Sequence, residues 1–100
     1  MSTKQEVRFT LGQVVATPGA LEALRRNNST GLEHLRRHAS GDWGIVCEDD
    51  KQANIEALQS GARLMSAYFL PDESKLWIIT EAADDEGNRA ATTLLLPDEY

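Results

Sequence analysis

The chain has 100 residues, 41% of them hydrophobic and 26% charged, and a formal net charge of −6 at pH 7. That length suits one domain with one core, and Cys47, the single cysteine, excludes an intrachain disulfide framework. No run approaches the roughly 20 apolar residues of a membrane span, and Met1 to Arg8 lacks the apolar stretch of a secretory signal, so a cytoplasmic protein in a reducing compartment, without membrane association, is expected.

The polar residues 1–6 are expected to be frayed, with a single α+β domain over 7–100. Val7 to Ala16 reads as a strand, in which Phe9, Leu11 and Gln13 alternate with Arg8, Thr10 and Gly12, and Gly12 marks a bulge. Thr17-Pro18 opens a helix. Threonine suits the cap, and proline suits a first helical position whose N–H would be unpaired anyway. Arg25 and Arg26 favour its negative end, and Asn27-Asn28 break it.

A second helix is predicted from Thr30, where Thr30 and Glu33 have the spacing of a capping box. Leu32, Leu35 and Ala39 share a face, and Ser40-Gly41 stop it. Asp42-Trp43-Gly44 form a loop, followed by the short apolar pair Ile45-Val46. Glu48, Asp49 and Asp50 crowd the start of a third helix, which Gly61 terminates.

Three strands follow: Leu64 to Leu70, Leu76 to Glu81 and Ala91 to Leu96. Pro71 to Ser74 make the first turn, Ala82 to Asn88 an acidic connection, and Pro97 the stop. Short links predict an antiparallel meander. The expected fold is therefore α+β in the order β-α-α-α-β-β-β, an antiparallel sheet covered on one face by helices. Exposed edges of so small a sheet make a homodimer an open expectation.

The charge is unevenly placed. Residues 1–70 balance eight acids against eight bases, whereas residues 71–100 hold eight acids against Lys75 and Arg89. Such a field repels phosphate backbones, so no nucleic-acid partner is expected, and a basic protein partner fits better.

His34 and His38 lie four apart, a spacing that can present two imidazoles to one metal. Leu35 stands where a metalloprotease helix carries glutamate, and Arg36 and Arg37 repel a cation, so two solvated histidines, no metal and no cofactor are expected. Carboxylates at 48, 49 and 50 disfavour a reactive thiolate at Cys47. Asp49-Asp50 and Asp84-Asp85-Glu86 lack the loop spacing of a calcium site and read as a charged helix start and a solvated hairpin tip. Ser66, Tyr68, Thr80, Thr92 and Thr93 read as a polar, solvent-facing side of the sheet, with Glu81 and Arg89 paired across a hairpin. Trp43 has two readings, a plug in the seam between helices and sheet or an anchor for a partner flanked by Asp42 and His38. The plug is favoured. Candidate partner-binding residues are therefore Asp42, Trp43 and Gly44 on one loop and Asp84, Asp85 and Glu86 on another. No catalytic set is assembled by spacing alone.

Three groups of segments look familiar: Leu11 to Leu24; His38 to Gly44 with Cys47 to Asn54; and Trp77 to Ala82 with Ala91 to Pro97. Together they resemble a family of small bacterial plasmid-related proteins carried on mobile elements, with no assigned activity. The resemblance covers residues 11–100. His34 stands where that pattern has an aromatic, and the last hairpin is longer here by about the Asp84–Gly87 stretch. The resemblance implies a non-enzymatic accessory protein of a mobile element that acts by binding a host or defence-system protein. A nuclease-like toxin and a metal-binding domain are the alternatives.

Overall fold

A computed structural model describes residues 7–100. The segment expected to be frayed, 1–6, lies outside the described residues. The elements are β1 (Gln13–Ala16), α1 (Pro18–Arg26), α2 (Leu32–Ala39), α3 (Glu48–Ser60), β2 (Leu64–Phe69), β3 (Lys75–Thr80), β4 (Ala91–Leu95) and a 3-10 turn at Pro97–Glu99. The α+β order is as predicted, and no helix among the described residues is long and apolar enough to cross a membrane.

The sheet order is β1-β4-β3-β2. The last three strands form the predicted meander, with Ser66 opposite Ile78 and Ile78 opposite Leu94. The sheet is nevertheless mixed rather than antiparallel: β1 runs parallel to β4, Val14 alongside Thr92 and Ala16 alongside Leu94. A parallel neighbour needs a long crossover, and here everything from α1 to β3 supplies it. The first strand is also shorter than predicted. At Gly12 the backbone turns to φ +65, and a Cβ there would lie 2.2 Å from the Arg89 carbonyl. Only glycine lets the chain pass so close, so regular pairing starts at Gln13.

Local signals explain most helix ends. The Thr17 hydroxyl accepts from the Ala20 N–H at 3.1 Å, with Pro18 just inside α1. Gly61, left-handed, closes α3. The predicted capping box of α2 does not form. Gly31 takes the cap position in a left-handed conformation, and the Thr30 hydroxyl accepts instead from the Leu32 N–H at 3.3 Å.

Alternation places Leu64, Ser66 and Tyr68 of β2, Leu76, Ile78 and Thr80 of β3, and Thr92 and Leu94 of β4 on one buried face. Ala20, Ala23 and Leu24 of α1 pack on Tyr68, Leu76, Ile78 and Leu94. Trp43, Val46 and Ala57 form a second cluster with Leu64 and Ala67. Each buried Leu or Ile contributes about 1.5–3 kcal/mol, enough for these two clusters to hold three short helices that would be marginal alone.

Candidate functional site

The loop Asp42–Gly44 seals the outer edge of β2. The Ala67 N–H donates to the Trp43 carbonyl at 3.1 Å, and the Ile45 N–H donates to the Ala67 carbonyl at 2.7 Å. Gly44 sits in this short parallel bridge at φ +75, where a Cβ would meet the Ala67 carbonyl at 1.9 Å. The next outward-facing residue of β2, Met65, is clasped by the side-chain amide of Asn54. Met65 N–H donates to Oδ1 at 3.1 Å, and Nδ2 donates to the Met65 carbonyl at 2.7 Å. That edge therefore offers little to another strand.

Trp43 is 6% exposed, with its ring against Phe9 and His38. Asp42 faces solvent in part and pairs with Arg37 at 2.7 Å, while its carbonyl accepts from the Tyr68 hydroxyl at 2.6 Å. The Arg37 guanidinium beside it holds the Asp42 carboxyl below its ordinary range.

Asp84, Asp85 and Glu86 are exposed at the tip between β3 and β4. Asp84 Oδ1 accepts from the N–H groups of Glu86 and Asn88 at 2.9 and 2.8 Å, which shapes the turn. The carboxylates of Asp85 and Glu86 make no hydrogen bond or ion pair among the described residues. Arg89 does not pair with the Glu81 carboxylate as predicted. Its guanidinium turns inward and donates to three main-chain carbonyls, of Ala57, Ala62 and Glu81, at 2.8–3.2 Å. It thereby caps the negative end of α3, and burial lowers its pKa.

The two histidines are not solvated. His34 is 8% and His38 0% exposed. Ser66, Tyr68, Thr80 and Thr92, predicted on a solvent face, lie on the inner face instead. His38 Nδ1 is 2.5 Å from Ser66 Oγ, and Nε2 is 2.8 Å from Thr80 Oγ1. Thr80 Oγ1 is 2.7 Å from Thr92 Oγ1, which donates to the Leu11 carbonyl at 2.7 Å. That carbonyl fixes every proton in the row. Thr92 gives its proton to Leu11 and so accepts from Thr80; Thr80 then accepts from His38 Nε2–H, and Nδ1 accepts from Ser66. His38 is thus the neutral Nε2–H tautomer, without a free lone pair for a metal. Burial, aided by the Arg89 charge, pushes its pKa down to about 4.

No family model, no curated protein and no solved structure matches this chain.

Among exposed features, the outer edge of β1 stands apart. The N–H groups of Gln13 and Thr17 donate to the carbonyls of Ala90, just before β4, and of Leu94 on it. In a parallel ladder the alternate residues, Val14 and Ala16, then turn their N–H and C=O groups outward. They find no partner among the described residues. Val14 and Val15 are 44% and 40% exposed, and Gln13–Ala16 carries no charge and no proline to discourage pairing. Nothing in the sequence pattern marked this edge, because its exposure depends on which neighbour β1 takes.

Proposed function

We propose that the chain is a non-enzymatic accessory protein of a mobile element that binds another protein by adding an extended segment of it to the outer edge of β1. The mobile-element setting rests on the resemblance of residues 11–100. The binding mode is supported by the outward main-chain groups of Val14 and Ala16, which have no partner among the described residues, and by the exposed side chains of Val14 and Val15. Main-chain hydrogen bonds supply affinity in this mode, and the side-chain surroundings supply selectivity. The acidic tip Asp84–Glu86 leads into β4, the strand beside β1, and favours a segment with basic flanks.

Val14→Pro removes one outward N–H without touching the ladder to β4, a substitution that edge strands tolerate. The protein and this variant are used as baits for co-purification from the native host at low salt, with partners identified by mass spectrometry. A specific partner held by the parent chain and lost from the variant, with the circular dichroism spectra superimposing, is the expected result. A partner held equally by both, or none at all, overturns the reading.

A further inference from the structure

We infer that the cleft between the end of α3 and the acidic turn before β4 binds a small zwitterion, a free amino acid or short peptide with apolar side chains, holding its carboxylate on Arg89 and its ammonium on Asp84 and Asp85. The cleft has a volume of about 420 Å³, within the ordinary range for a small-molecule site. It shares the acidic turn with the proposed partner surface but no residue of β1. Its test needs no partner protein, so either reading can fail without the other.

Arg89 forms the floor. It is 6% exposed, and buried charges are ordinarily paired with an opposite one. None faces it: burial lowers its pKa, and no acidic side chain offsets the shift. Its bonds to the carbonyls of Ala57, Ala62 and Glu81 engage Nη1 twice and Nη2 once. Of the five guanidinium protons, these leave the one on Nε and a second on Nη2 without an acceptor among the described residues. Nε is not sealed in. Among the described residues the one fully buried side-chain nitrogen or oxygen without a partner is His34 Nδ1. The unbonded Nε is therefore open to solvent, and Arg89 lines this cleft. Two adjacent donors on one cation suit a carboxylate.

Asp84 and Asp85 stand exposed at the mouth. Asp84 commits Oδ1 to its own turn and keeps Oδ2, and Asp85 is wholly uncommitted. These carboxylates set the class of ligand. They repel a plain anion, and a dianionic phosphate most of all, while they attract an ammonium. Phe9, whose ring lies 5.7 Å from the Arg89 guanidinium, and Leu58 supply a half-buried apolar wall. An inorganic ion would leave that wall unused. A carboxylate, an ammonium and an apolar side chain on one small molecule match floor, mouth and wall together.

The test is a titration of ¹⁵N-labelled protein with leucine, dileucine, leucine amide and N-acetyl-leucine at constant pH and ionic strength. Leucine and dileucine represent the two sources of the zwitterion, and the tighter of them names the source. The amide lacks the carboxylate, and the acetyl form lacks the ammonium. The Arg89 Nε–H signal, assigned through its own side chain, reports the floor directly. The expected result is a saturable shift of that signal with leucine or dileucine, absent with the amide and weaker-binding with N-acetyl-leucine. Asp85→Asn, at an exposed and unbonded side chain, should weaken the zwitterion roughly fivefold, the effect of one nearby opposite charge in water, and tighten N-acetyl-leucine. An Nε–H signal that neither zwitterion moves, or that the amide moves equally, overturns the carboxylate site. N-acetyl-leucine binding as tightly as the zwitterion, or Asp85→Asn leaving the zwitterion's affinity unchanged, overturns the ammonium site.

Discussion

At the residue scale, His38 is the group with most at stake. The unfolded chain takes a proton there near its ordinary value of 6.5, the folded chain only at about 4. Between those values the unfolded state binds more protons, so stability falls as pH falls. Its contribution is complete above about pH 6.5 and declines towards pH 4, by roughly 3 kcal/mol in all. His34, lowered by burial, acts in the same direction. Urea unfolding from neutral pH to about pH 4 measures the decline, and ring-carbon shifts should show His38 still neutral near pH 5; a midpoint close to 6.5 would sink the assignment. Gly44→Ala tests the neighbouring loop. It places a Cβ against the Ala67 carbonyl at a positive φ, a strain of about 1–3 kcal/mol before the clash is counted, and should lower the thermal midpoint by several degrees. Neither position was readable beforehand. The partners of His38 are 28 and 42 positions away, so its helical spacing from His34 suggested a shared face without showing that the face turned inward.

At the scale of elements, short-range grammar was legible and long-range pairing was not. Thr17-Pro18, Gly61 and the turn at Pro71–Ser74 each act through the next few residues, and each appears where predicted. Thr30 and Glu33 also had the right spacing, but Gly31 turned left-handed and moved the helix start by one residue beyond the box. The partner of β1 lies 78 positions away, Gln13 beside Ala91, and no local pattern encodes that choice. Asn54 makes a direct test of how α3 holds β2. Asn54→Ala leaves the N–H and C=O of Met65 without their clasp. The expected cost is about 1–3 kcal/mol, with faster hydrogen exchange at the Met65 amide as the local signature. Unchanged exchange there would show that the clasp is dispensable.

For the whole molecule, the sheet has a firm side and a lightly held side. The hairpins β2–β3 and β3–β4 join residues close in sequence, whereas β1 is four residues long, paired on one side only, and closed over the longest loop in the chain. Native-state hydrogen exchange should find the amides of β3 opening only with global unfolding and that of Val15 opening earlier. Equal protection of both would contradict this ranking. The two borders of the sheet also differ in what they permit: one is fastened from within by Asn54 and the 43–45 bridge, the other has no partner among the described residues. A ribbon that can be lengthened at a single border can be lengthened once. If two copies met there about a two-fold axis, Val15 would face its own image and neither copy would have another border to give. Growth would stop at a pair instead of running on into a fibre.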